Sequence, residues 1–120
     1  MTDNRLLDNK NSLKKNDPQA PLILVVEDDE ALREALVDTL EMAGYNVLEA
    51  DNGRAALDQL HADGALEIDI VISDVQMPKM DGHQLLKQIK RQYDLPVLLM
   101  TAYGTINKAI EAMKDGAVDY

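Results

Sequence analysis

The sequence contains no cysteine, no phenylalanine and no tryptophan, and tyrosine appears only four times. The absence of cysteine excludes a disulfide scaffold, a thiolate metal centre and a cysteine nucleophile. Without Phe or Trp, the core has to be packed from Leu, Ile, Val, Ala and six Met. Apolar runs are short, and none approaches the roughly 18 residues that a membrane helix needs. The polar N-terminus also lacks the apolar core of a signal peptide. These absences favour a soluble cytoplasmic protein. Basic charge is scarce as well: 12 Lys and Arg face 22 Asp and Glu, for a net charge of −10. Residues 1–20 carry +1, so residues 21–120 carry −11. A body this acidic repels phosphate backbones, which argues against nucleic-acid binding by this segment. Its acidity can serve solubility or a cation site. A length of 120 residues allows one domain and excludes two.

Residues 1–20 form a polar stretch with four Asn, three Leu and Pro18, and are expected to be a disordered leader. After Pro21, Leu22-Ile23-Leu24-Val25-Val26 is an unbroken aliphatic run. Such a run without polar alternation predicts a strand buried on both faces. A helix follows over Ala31–Ala43, striped by Leu32, Leu36 and Leu40, with Gly44 placed as its C-terminal cap. Tyr45–Glu49 reads as an edge strand and Gly53–His61 as a second helix, broken at Ala62-Asp63-Gly64. Ile68–Ser73 is a further strand that ends at Asp74. The turn Met77–Gly82 is dense in breakers, and His83–Tyr93 makes a third helix. Val97–Met100 is a buried strand ending at Thr101. A fourth helix is expected over Thr105–Lys114, stopped by Gly116, before an extended start at Ala117–Tyr120. Strict β–α alternation predicts an α/β fold with a parallel sheet and helices on both faces.

In open parallel sheets, ligands bind beyond the carboxyl ends of the strands. The three buried strands end in Asp28-Asp29, Asp74 and Thr101. Carboxylates converging there repel one another unless a cation compensates. An all-oxygen site suits a hard ion such as Mg²⁺, which prefers one or two carboxylates, waters and a phosphate oxygen. Asp74 is then a candidate nucleophile, because a carboxylate can accept a phosphoryl group as an acyl phosphate. The competing reading is ordinary helix capping: Asp29 or Glu30 can cap the first helix.

Leu24-Val25-Val26-Glu27-Asp28-Asp29-Glu30, Val71–Gly82 and Leu95–Gly104, taken together, resemble the receiver domain of two-component response regulators. The resemblance spans residues 21–120. It implies a flavodoxin-like doubly wound parallel sheet with strand order 2-1-3-4-5, in which Asp29 and Asp74 meet. It implies that Asp74 is phosphorylated by a sensor histidine kinase. Asp29 is expected to bind Mg²⁺ directly, with Asp28 acting through water and the Gln76 backbone carbonyl as a further ligand. Thr101 is implied as the switch residue, Tyr120 as the aromatic that follows its movement, and Pro78 and Gly82 as the residues shaping the site loop. Glu27 is given no catalytic role. His61 and His83 are expected to be without function, and Lys87, Lys90 and Arg91 to form a solvated face.

The family pattern continues past Tyr120 with a Lys-Pro pair and a fifth helix. The expectation is therefore a receiver with its last strand incomplete and its last helix missing, whose phosphorylation is weakened and whose uncovered apolar surface favours a homodimer or strand exchange. Thr101–Tyr120 most resembles receivers of activators that work on sigma-54 polymerase, so an output domain or target protein is the implied partner. A dehalogenase-like phosphatase would also use an Asp nucleophile and Mg²⁺, but it wants a second Asp where Gln76 stands. A non-phosphorylated interaction module would not need Asp29, Asp74 and Thr101 together.

Overall fold

The aliphatic run at residues 22–26 becomes an inner strand of a parallel sheet. The computed structural model of the chain describes residues 17–62, 67–101 and 106–120. In chain order the elements are β1 (Leu22–Val26), α1 (Glu30–Met42), β2 (Asn46–Ala50), α2 (Gly53–His61), β3 (Ile70–Asp74), α3 (Gly82–Gln92), β4 (Val97–Met100) and α4 (Ile106–Lys114). The strands lie in the order β2-β1-β3-β4. β1 runs parallel to β2 on one side and to β3 on the other, with Val26 opposite both Ala50 and Ser73. β3 continues to β4, with Asp74 opposite Met100. Beyond β4, the Val118 amide donates to the Val97 carbonyl at 2.8 Å and the Leu99 amide to the Asp119 carbonyl at 3.2 Å. This parallel bridge lies on the outer side of β4, where a fifth strand is expected to start.

Side chains alternate between the two faces of a strand. Ile23, Leu24, Val25 and Val26 are all buried, so both faces of β1 are covered. β2 is more open, as an edge strand is. Right-handed crossovers decide which helix lies on which face. The step from β1 out to β2 places α1 on one face. The steps from β2 to β3 and from β3 to β4 run the other way across the sheet, so α2 and α3 share the opposite face and touch. There Leu57, Leu60, Leu85, Leu86 and Ile89 close the core against Leu24, Val71 and Val97.

α1 forms where the Leu stripe predicts a helix but lies shallow: none of its residues is buried, and Leu32 is 49% exposed. Among the described residues, α1 packs chiefly on β1 and β2. The chain also settles before Pro21. Residues 17–20 form a turn in which the Ala20 amide donates to the Asp17 carbonyl, and Asn46 Nδ2 donates to that same carbonyl at 2.9 Å. Residues 1–16 of the expected leader, the break at Asp63-Gly64, and Ala102–Thr105 lie outside the described residues.

Candidate functional site

The site is assembled where β1 and β3 end side by side. Past Val26, the Glu27 amide donates to the Ala50 carbonyl at 3.1 Å, which carries the ladder one residue further. The Glu27 side chain is consequently only 2% exposed. Asp28 follows at the surface, and Asp74 closes β3, half-buried. One carboxylate oxygen from each of Glu27, Asp28 and Asp74 lies within 4.8 Å of the others.

The expected direct ligand, Asp29, is not in that group. Its Oδ1 accepts from the Leu32 amide at 3.0 Å, as the N-cap of α1. The capping alternative therefore describes Asp29, and Glu27 stands in its place among the gathered carboxylates. The reason is phase. Glu27 still belongs to the strand ladder and is aimed across the sheet end, whereas Asp29 has turned into the helix entry. The Asp29 amide donates to Glu27 Oε2 at 3.0 Å, joining the two roles. The signal in the sequence was Glu27 directly abutting a fully buried strand.

The electrostatics match a cation-ready cluster. Burial away from water raises the Glu27 carboxyl above its ordinary range; the Asp29 amide opposes this, and the nearby Asp74 and Asp28 carboxylates add to it. Burial also raises Asp74, against the amides of Gln76 and Val75 and with the charge of Asp28. Glu27 Oε1 is buried and has no hydrogen-bond partner. An orphaned carboxylate oxygen facing two more carboxylates is a donor set that a hard divalent ion satisfies, so the residues present fit Mg²⁺.

The loop after Asp74 folds back on itself. The Gly82 amide donates to the Val75 carbonyl at 2.8 Å. A Cβ on Gly82 would stand 2.5 Å from the Asp74 carbonyl oxygen, so this approach requires glycine. Asp81 then starts α3 with a capping box closed by Gln84. Pro78 is exposed and shares a groove with Asp28, Asn52 and Lys79. On the other side of the loop, Gln76, Thr101 and Tyr120 line a second cavity of about 470 Å³ with His83. The His83 and Tyr120 rings lie 5.7 Å apart, and the two His83 nitrogens and the Tyr120 hydroxyl are buried without hydrogen-bond partners. His83, expected to be idle, is thus packed against the expected switch aromatic. Only the folded chain, not residue spacing, shows this pairing.

A parallel sheet in this order, with carboxylates gathered at the carboxyl ends of its inner strands, defines a class: a flavodoxin-like α/β domain with an acidic pocket. Known proteins narrow the class to one family. The model of the response regulator receiver domain matches residues 23–120, and the chain belongs to that family of signalling domains. It is 54% identical over 102 residues to the response regulator protein FleR of Pseudomonas aeruginosa, covering 84% of this chain and 21% of that protein. It is 44% identical over 99 residues to the transcriptional regulatory protein FixJ of Bradyrhizobium diazoefficiens, covering 82% and 47%. A response regulator receiver domain protein from Clostridium thermocellum has a crystal structure similar to this one, with a TM-score of 0.79 at 34% identity over 83% of this chain and 79% of that one. The chain thus spans about a fifth of one curated relative and about half of the other.

Proposed function

We propose that this chain is the phosphoacceptor of a two-component relay and that Asp74 takes the phosphoryl group from a sensor histidine kinase. The observation that carries the reading is the convergence of Glu27, Asp28 and Asp74 at the ends of β1 and β3. An Asp74 carboxylate oxygen attacks phosphorus. The P–N bond of the kinase phosphohistidine breaks, and its electron pair returns to the imidazole nitrogen. An aspartyl phosphate results. Glu27, Asp28, Asp74 and the Gln76 carbonyl are the groups that would hold Mg²⁺, and Asp29 keeps its capping role. When bound, the ion offsets the negative charge of the carboxylates and of the phosphoryl oxygens. Positioning and charge neutralisation are what such a transfer needs most.

The readout then runs through Thr101. Its hydroxyl turns to the phosphoryl oxygens, Tyr120 follows, and α4 with its neighbouring face presents an altered surface to an output domain or target protein. A shift between two pre-existing states suffices for this. The resemblance of residues 101–120 supports a sigma-54-dependent transcription activator in the cytoplasm as the setting. No helix among the described residues is long and apolar enough to cross a membrane. Mass spectrometry after incubation with acetyl phosphate and Mg²⁺ tests the assignment. One phosphoryl group on Asp74, absent from Asp74→Asn and without Mg²⁺, is the expected result. Steady turnover of phosphate esters without a labelled protein would instead establish a phosphatase.

A further inference from the structure

Arg33 connects three parts of the site without touching its carboxylate cluster. It lies one turn into α1, and its side chain is only 16% exposed. Its Nη1 donates to the Glu27 backbone carbonyl at 2.9 Å. Its Nε donates to Glu49 Oε1 on β2 at 3.1 Å. The guanidinium therefore ties the helix, the neighbouring strand and the peptide that carries Glu27 into one unit. That peptide lies just past the end of β1, where only the Glu27 amide still bonds the sheet, through the Ala50 carbonyl. Its carbonyl has left the ladder, and Arg33 supplies the missing partner. The planar fork suits this task, since it offers two donors in a fixed relation.

We propose that Arg33 is a positioning residue for the cation and phosphoryl site: it fixes the Glu27–Asp28 peptide so that both carboxylates face Asp74. The inference rests on the receiver reading of that site. Two roles for Arg33 predict opposite signs. As a mere positive charge near acidic groups, it would repel a metal ion, and its removal would tighten Mg²⁺ binding. As a positioning residue, its removal loosens the ligand carboxylates and weakens binding. Outer groups that orient metal ligands typically change affinity by about tenfold or more when removed.

The experiment measures Mg²⁺ affinity by calorimetry and Asp74 labelling by acetyl phosphate, with a thermal melt on each preparation. Arg33→Met should weaken Mg²⁺ binding by about tenfold and slow labelling at subsaturating Mg²⁺. At saturating Mg²⁺, labelling should recover. Arg33→Lys keeps the charge but not the fork, and should fall between the two. Glu49→Gln should weaken binding less than Arg33→Met and add little to it, because both act through one linkage. Unchanged or tighter Mg²⁺ binding in a folded Arg33→Met protein would overturn the proposal, as would full rescue by Arg33→Lys. If Arg33→Met fails to fold, Arg33→Lys and Glu49→Gln decide alone, and wild-type affinity in both overturns it. A wild-type chain that neither binds Mg²⁺ nor labels defeats the receiver reading itself, a result separate from any effect at Arg33.

Discussion

Two acidic side chains pressed together away from water make the folded state sensitive to pH, with a sign that can be worked out. Glu27 and Asp74 both have carboxyls raised above their ordinary range, first by burial and then by neighbouring carboxylates. The folded state therefore holds protons that the unfolded state has already released. Stability follows the difference in bound protons, so it must fall as pH rises from the ordinary carboxylate range through the raised values. Metal-free protein in chelator should show a urea midpoint that declines over this window. Glu27→Gln should flatten the decline, and Mg²⁺ should oppose it if it binds the ionised carboxylates as proposed. A midpoint that climbs with pH in chelator would contradict this arrangement. Gly82 makes a second residue-scale demand. A methyl group there meets backbone rather than a flexible side chain, at 2.5 Å from the Asp74 carbonyl oxygen. Gly82→Ala should cost about 2 kcal/mol, as overpacked sites do, and denaturant titration reads this directly.

The elements separate two tasks that the sequence places side by side. Glu27, Asp28, Asp29 and Glu30 are consecutive, and the site and the helix cap both recruit carboxylates. Which residue serves which task depends on where extended backbone yields to helix, and composition does not reveal that residue. The strand-end rule points to the sheet edge where Asp28 and Asp74 gather with Glu27, and Asp29, one residue further on, accepts from the Leu32 amide instead. β3 gave no such trouble, since Asp74 is the single acid between Ser73 and Val75. The two tasks separate experimentally. Asp29→Ala removes the acceptor for the Leu32 amide and should cost about 1 kcal/mol of stability. Its effect on Mg²⁺ affinity should be small. Asp28→Ala should do the reverse, with Mg²⁺ binding lost and the melting temperature of the metal-free protein kept or raised, because one repelling charge is gone. Calorimetric titration and a thermal melt on the same two variants decide the matter. Metal loss confined to Asp29→Ala would restore the direct-ligand role first expected of it.

At the scale of the molecule, the parallel α/β class was legible because buried aliphatic runs, glycine breaks and strict alternation all point to it, whereas the strand order came only from the resemblance to receiver domains. How firmly each helix is held was not legible. Leu32, Leu36 and Leu40 have the spacing of a buried stripe, yet α1 buries none of its residues. Spacing reports which side of a helix turns inward, whereas burial depends on how many neighbours share its face of the sheet. α2 and α3 cover each other, and α1 rests on β1 and β2. Stability should accordingly be uneven, since local opening follows buried apolar contact. A helix of 13 residues is marginal on its own, so α1 depends on its cap, the Arg33 linkage and partial packing. Amide exchange should be slowest in β1 and β3, which have strands on both sides, and faster in α1 than in α3. Substitutions should follow the same gradient. Leu24 is fully buried in β1, and Leu24→Ala should cost about 3 kcal/mol. Leu32 is half exposed, and Leu32→Ala should stay within about 0.5 kcal/mol. If α1 amides exchanged as slowly as those of β1, or if the two alanine variants cost the same, the α1 face would have to be covered in solution, and this uneven distribution of stability would be wrong.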